Sequence, residues 1–412
     1  MKFSNPIHQT IICIASFFKG NEFIRECRRQ GASVVLLTRE KLANADWAHE
    51  SLNELITISG KLNEQSYAAA AVRVMRQRQV KRIVALEEYD VVTAAQLREL
   101  ASIPGLSTTT ARRFQDKLAM RIRGRETGIR QPDFVPLVNH ETVAEFMRRT
   151  SPPWMLKPRL GASAMGIRRL RTPEEVWRSL SELDSRESFE ETAAFHLLER
   201  YIPGDVYHVD SLLNDGRIVF ASAERYSTAP FEVSQFGGIS MSHTLRHGSR
   251  EEEQLLRLNE LLLQSFGIDR GVTHAEFLRA GDTDEDLYFL EVAARVGGAY
   301  TAETIEAASG VNLWREWAKI ESSTPERPYR GPEVRTDYAG IALSLSRQEF
   351  PDTIQYRDPE IVYRINKPWH VGLIVRSPSY ERVIELLEEY RRRFTEDFAA
   401  VAPPEEKPGQ YL

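Results

Sequence analysis

The chain has 412 residues, 42% hydrophobic and 27% charged, with 54 basic against 59 acidic side chains and a formal net charge of -5. Interspersed charge of this kind leaves no footprint for a nucleic acid, and two cysteines, Cys13 and Cys27, exclude a disulfide framework. No run reaches the ~18 apolar residues of a bilayer span, so composition predicts a globular, cytoplasmic protein of two or three domains, with no membrane or nucleic-acid partner and with homo-oligomerisation left open.

The first hundred residues alternate strand and helix. Residues 10–17 read as a buried strand, not as a signal peptide's apolar core, because the run is short and passes directly into helical pattern. Asn21 is expected to cap a helix that ends before Gly31; strands follow at 33–37, 55–59 and 82–86, with a helix over 63–78. Such alternation predicts an open parallel sheet covered by helices. The first strand ends in SFFKGN, without the GxGxxG turn of a dinucleotide site. Glu87, Glu88 and Asp90 follow the carboxyl end of a strand, where such sheets bind ligands, although an acidic loop without a ligand reads equally well.

After Pro104-Gly105 one helix is expected over 108–121, carrying Asp116, Lys117 and Arg121. A short strand, a helix near 141–149 and a strand at 154–156 lead into KPRLGASAMGIRRL, residues 157–170. There Gly161 and Gly166 bracket Ala162, Ser163 and Ala164, so the backbone is able to approach a phosphate closely and offer it N–H groups. Lys157 precedes the glycines, which excludes a Walker A loop; an ordinary mobile turn is the alternative. Thr172-Pro173 opens a further helix, 196–201 is a strand broken at Pro203-Gly204, and 206–213 with 218–223 form a hairpin. Residues 228–247 read as a long loop, followed by an amphipathic helix over 252–266.

The stretch 271–298, GVTHAEFLRAGDTDEDLYFLEVAARVGG, reads as two strands around an Asp/Gly-rich connection. Alternation places Glu291, Ala293 and Arg295 on one face and Leu290, Val292, Ala294 and Val296 on the other, while Glu276 shares a face with His274. If Glu276 pairs with Glu291, two carboxylates lie roughly 5 Å apart, at a cost unless a positive charge intervenes. Oxygen ligands alone suit Mg²⁺ or Mn²⁺, and Mg²⁺ usually completes its shell with water and phosphate, which points to a triphosphate. The alternative is a solvated acidic hairpin with Arg295 pairing one glutamate. Helices at 301–308 and 311–320, strands at 339–345, 361–365 and 370–376, a helix over 380–398 and a disordered tail from 403 complete the pattern. Arg225, Tyr226 and His243 flank the long loop as substrate candidates, with the pair Gly297-Gly298 beside the hairpin; His208 and Asp210 alternate on a strand, and His274 is a candidate to orient a metal carboxylate or a substrate, a satisfied structural side chain being the alternative for each.

Taken in order, the helix lysine of DKLAM, KP before a Gly-rich loop, ERYIPGD, HAEF and EVAARVGG resemble the ATP-grasp superfamily over residues 116–320. The resemblance implies an N-terminal open parallel α/β domain (1–106) and an ATP-grasp fold of two α+β lobes enclosing ATP (107–330, small lobe about 110–197, large lobe from 198). A C-terminal mixed segment (331–402) would complete the large lobe. By position it implies Lys117 and Lys157 as ATP lysines, Gly161, Ala162, Ser163 and Gly166 in a flap over the phosphates, and Glu199, Arg200, Tyr201 and Ile202 as the adenine hinge. Glu276 and Glu291 would be the Mg²⁺ (or Mn²⁺) carboxylates, and Arg295 the arginine that steadies the transferred phosphoryl group. Val206 stands where many members carry an acidic ribose ligand, leaving Asp205 as substitute, and Ala293 replaces the Asn of Glu-x-Asn-x-Arg, which puts a fully ligated second metal in doubt. The implied activity is that of a carboxylate-amine ligase: ATP activates a small-molecule carboxylate as an acyl phosphate, and an amine takes the acyl group, with amino-acid ligation as one version. Kinase-like or carboxylase-like transfer on the same fold, or a catalytically decayed nucleotide-binding regulator, are the alternatives.

Overall fold

Residues 9–59, 64–283 and 286–401 are described by the computed structural model; the expected disordered tail from 403 lies outside them. Strands β1 (Thr10–Ala15), β2 (Ser33–Arg39), β3 (Glu54–Ile58) and β4 (Val80–Ala85) form a parallel sheet in the order β3-β2-β1-β4. Every residue of β1 is buried, as a strand covered on both faces requires. Ile12 and Ile14 face helices Glu64–Gln77 and Val91–Leu100, while Ile11 and Cys13 face helices Asn21–Arg29 and Leu313–Ser322.

Two helix boundaries depart from expectation. Asn21 is the first helical residue and Gly20, at φ 88°, takes the cap position; the Asn21 side chain instead bonds the Asp46 carbonyl and the Ala48 N–H. The single helix expected over 108–121 is two, Thr108–Arg112 and Lys117–Glu126, because the Asp116 carboxylate accepts from the Leu118 N–H and starts a new helix there. Lys117 is thereby placed at a helix start, its N–H donating to the Arg159 carbonyl.

A second sheet is antiparallel: β5 (Phe134–Pro136), β6 (Trp154–Pro158), β7 (Arg168–Leu170) and β8 (His196–Arg200), in the order β5-β8-β6-β7. Helices His140–Arg149 and Pro173–Asp184 cover one face of it through Phe146, Val176 and Leu180. The third sheet has eight strands, β9 (Asp205–Asn214), β10 (Arg217–Tyr226), β11 (Ser240–Thr244), β12 (Gly271–Arg279), β13 (Leu287–Ala293), β14 (Tyr338–Leu345), β15 (Ile361–Arg364) and β16 (His370–Ser377). Their order is β13-β12-β9-β10-β11-β14-β16-β15. The C-terminal strands therefore extend the large sheet, packed under helix Tyr380–Asp397. Residues 228–247, expected as loop, contain helix Pro230–Phe236 and β11, which joins the hairpin β9–β10 to the C-terminal strands. Isolated β11 shows no strong pattern; its pairing on both edges makes it a strand.

No helix among the described residues is long and apolar enough to cross a membrane. At the break between β8 and β9, a Cβ on Gly204 would lie 2.2 Å from the Arg279 carbonyl oxygen, a backbone atom that cannot turn aside. Gly204→Ala is expected to cost about 1–3 kcal/mol in urea unfolding, whereas Gly331→Ala, which meets nothing within 4 Å, leaves the midpoint unchanged.

Candidate active site

The register of β12 against β13 pairs Glu276 with Glu291 and His274 with Ala293. Between Glu276 and Phe277 the register shifts, so that Phe277 faces Phe289 and Leu290 is the extra residue of a bulge. Simple alternation put Leu290 with Val292; the bulge instead turns it to pack against Ile202, Val206, Leu278 and Tyr288, while Val292 and Ala294 stay in the main core. An apolar cluster thus adjoins the two glutamates.

Each glutamate has a positive neighbour. Lys117 Nζ lies 3.1 Å from Glu291 Oε2 and donates to the Gly161 carbonyl at 2.7 Å, tying the Gly-rich loop to β13. Burial alone would lower the Lys117 pKa, but Glu291 and Glu88 outweigh it and raise it; burial would likewise raise Glu291, which Lys117 and Lys157 hold low. Tyr226 Oη donates to Glu276 Oε1 at 3.2 Å, and His274 Nε2 stands 3.6 Å from the same oxygen. The loop itself takes the left-handed region at Gly161, Ser163, Ala164 and Gly166, and with Ala162 and Met165 it closes over Lys117 and Glu291.

Lys157 and Glu199 meet on the neighbouring sheet. Lys157 Nζ is 2.7 Å from Glu199 Oε2, and the Arg121 guanidinium Nε donates to Glu199 Oε1 at 2.6 Å. Burial would raise the Glu199 pKa, yet Arg121 and Lys157 hold it at about 2. Among the hinge residues, the Arg200 and Tyr201 N–H groups are taken by the Asp133 and Pro153 carbonyls, while Ile202 belongs to the apolar cluster. The Glu199 carboxylate, expected at the adenine, here pairs with two cations. Arg121 is expected on its helix without a role; its spacing of four residues from Lys117, which puts both on one helix face, was the available signal.

Arg295 reaches across to the N-terminal domain, where its Nη2 donates to Glu88 Oε2 at 2.9 Å and its Nε to the same oxygen at 3.1 Å. Burial disfavours the cation, but Glu88 and Glu87 more than compensate and keep it protonated. The acidic cluster after β4 is thus structurally engaged: Glu87 pairs with Lys19 at 2.5 Å, and Asp90 accepts from the Ser16 N–H at 2.7 Å.

Three substrate or ribose candidates lie elsewhere. Asp205, Arg225 and His243 alternate away from Glu276, onto the face that carries Tyr207 and Glu251. Arg225 pairs with Asp205 at 2.7 Å, and the His243 ring lies 5.7 Å from that of Tyr380. A one-residue step along a strand changes the face, so Tyr226 enters the site where Arg225 does not. Likewise Val206, not Asp205, lies in the apolar cluster beside the glutamates.

Below the glutamates, His208, Asp210, His274 and Glu224 form a buried cluster. His208 Nδ1 and His274 Nδ1 face Asp210 oxygens at 2.7 and 3.0 Å. Burial would raise Asp210, which His274 and His208 hold well below the usual carboxylate range; burial would lower His274, which Asp210 lifts to about 10. Burial also pushes Glu224 up to about 7. The two imidazoles and Asp210 are near enough to share a cation. Their ring nitrogens, however, already face carboxylate oxygens, with Glu224 3.2 Å from His208 Nε2. Gly297 packs directly on the cluster, whereas Gly298 borders open space.

Residues 150–303 match the ATP-grasp domain family. Over that stretch the chain is similar to ATP-grasp domains. Over 258 residues it is 28% identical to the L-arginine-specific L-amino acid ligase of Bacillus subtilis, a match covering 61% of this chain. That match spans 59% of the length of the curated relative. The fold is similar to that of an L-amino acid ligase from Bacillus licheniformis, with a TM-score of 0.74 at 16% identity over 96% of this chain and 99% of that one. It is also similar to the biotin carboxylase domain of the Hydrogenobacter thermophilus 2-oxoglutarate carboxylase, solved with MgADP, with a TM-score of 0.69 at 16% identity over 96% and 91% of the two chains. The ATP-grasp match spans both the Gly-rich loop and the glutamate hairpin; Lys117, Arg121 and Glu88 lie before it.

The Glu199 ion triad has a pH signature. Its folded pKa lies below its ordinary value of 4.5, so its contribution to stability is complete above that pH and is lost as pH falls through about 2. Glu199→Gln is expected to unfold at lower denaturant than the parent at pH 7, with the gap closing as the pH is lowered across that window.

Proposed function

We propose that the protein is an ATP-dependent ligase that activates the carboxylate of an amino acid as an acyl phosphate and transfers the acyl group to an amine, releasing ADP and phosphate. The observation that carries this reading is the pairing of Glu276 with Glu291 beside Lys117, with Lys157 reaching the same region from the neighbouring sheet and Arg295 standing just past β13.

The carboxylates fit Mg²⁺: they offer oxygen donors only, they lie opposite each other on one sheet face, and Lys117 already supplies positive charge at Glu291. Bound there, Mg²⁺ would screen the phosphate charge against the incoming carboxylate. The remaining work falls to the chain. Ile202, Val206, Leu278, Tyr288 and Leu290 form an apolar cluster next to the hinge, a surface suited to a planar base. Lys117 and Lys157 exchange their glutamate partners for phosphate oxygens, and the Gly-rich loop adds N–H groups and shuts out water.

Arg295 and Glu88 present one cation and one anion side by side, a match for a zwitterion's carboxylate and ammonium. A carboxylate oxygen then attacks the γ-phosphorus and the bond to the bridging oxygen of ADP breaks. The amine nitrogen attacks the acyl carbon, phosphate leaves, and the amine gives up a proton as the amide forms. The name of the Bacillus subtilis relative, an L-amino acid ligase, supports amino acids as the substrate class. A cytoplasmic setting, where ATP is supplied, belongs to the same reading.

Phosphate release screened over pairs of amino acids with ATP and Mg²⁺ tests the proposal. Turnover is expected with at least one pair, falling about a hundredfold or more in Glu291→Ala and in Arg295→Met. Undiminished turnover in Glu291→Ala would contradict the metal assignment.

A further inference from the structure

The ligase chemistry uses only the last member of a line of ionisable side chains that runs through the large sheet. β10, β9 and β12 each turn alternate residues to one face, which sets Glu224, His208, Asp210, His274 and Glu276 in a row. Glu224 Oε2 is 3.2 Å from His208 Nε2, His208 Nδ1 is 2.7 Å from Asp210 Oδ2, and Asp210 Oδ1 is 3.0 Å from His274 Nδ1. His274 Nε2 then faces Glu276 Oε1 at 3.6 Å. His208, Asp210 and Glu224 are wholly shielded from solvent. Ionisable groups in such a place are less stable than apolar side chains of the same volume, so packing alone does not account for them.

The row ends on the glutamate that most needs a hold. Glu276 faces the like charge of Glu291 across the strands, and repulsion favours turning its side chain away. Two contacts oppose this: the Tyr226 hydroxyl at 3.2 Å and the His274 imidazole. An imidazole on its own is free to rotate. With Nδ1 fixed on Asp210, the other nitrogen is aimed at Glu276. Asp210 is in turn held by His208, over which the Tyr226 ring lies at 4.7 Å. Gly297 completes the clamp, because a Cβ there would come within 2.9 Å of both Asp210 Oδ1 and His274 Nδ1.

We propose that Asp210 and His274 are positioning residues that fix the Glu276 carboxylate for its metal ion. This rests on the reading of Glu276 as a metal ligand. A cation bound inside the cluster is the less favoured arrangement, since both nitrogens of each ring already face carboxylate oxygens.

Mn²⁺ titrated into the full-length protein with saturating ADP, followed by the paramagnetic resonance of free Mn²⁺, tests this without turnover. Metal-free ADP affinity, measured calorimetrically in chelator, is the control. Asp210→Asn and His274→Gln are each expected to weaken Mn²⁺ about tenfold, the double variant no further than the weaker single one, with metal-free ADP affinity within about twofold of the parent. Should Asp210→Asn not fold, His274→Gln and Gly297→Ala probe the same arm, and both are expected to weaken Mn²⁺ in the same way. Parental Mn²⁺ affinity in these variants, with Glu276→Gln weakened, would overturn the positioning role and leave the metal assignment standing. An equal loss of metal-free ADP affinity would overturn it as well, by marking a merely structural role. Parental Mn²⁺ affinity in Glu276→Gln would remove the metal assignment itself, and this inference with it.

Discussion

Two carboxylates opposite each other on adjacent strands impose a condition on everything around them. Glu276 and Glu291 repel, and the fold tolerates them because Lys117 reaches one and Tyr226 and His274 reach the other. These partners come from separate segments: a helix start set by the Asp116 cap, the end of β10, and the middle of β12. The arrangement therefore exists only when the large sheet, the helix that begins at Lys117 and the Gly-rich loop are assembled together.

The same logic extends outward. Every cation of the site already has a carboxylate: Lys117 has Glu291, Lys157 and Arg121 share Glu199, and Arg295 holds Glu88. A bound triphosphate competes for cations that are charged and placed, so little reorganisation is left for the reaction itself. Arg295 also joins the large sheet to the N-terminal domain, because Glu88 stands just past the carboxyl end of β4. Glu88, at the place where open α/β sheets bind ligands, thus also holds a residue of another sheet.

Strand alternation decides which polar residues belong to the site. Tyr226 and Arg225 are neighbours in the chain, yet one touches Glu276 while the other pairs with Asp205 on the opposite face. The bulge at Leu290 does the reverse, bringing an apolar residue round to the glutamate side, where it joins the apolar cluster beside the hinge. Sites on sheets are sensitive to such single-residue shifts because side-chain direction has a period of two.

The sequence by itself determined the parallel N-terminal sheet, the hairpin with its facing glutamates, the Gly-rich loop and the order of parts that resembles an ATP-grasp fold. Those features are local: apolar runs, turn residues and alternation act over ten to thirty positions. Tertiary structure alone decided that Glu199 is held by Arg121 and Lys157, that Arg295 rests on Glu88, that residues 240–244 are a strand, and that Asp205, Arg225 and His243 turn away. Each of these depends on partners far apart in the chain or on a bulge that changes face, and the energy of a buried ion pair is set by distance and solvent exclusion, which no local pattern encodes.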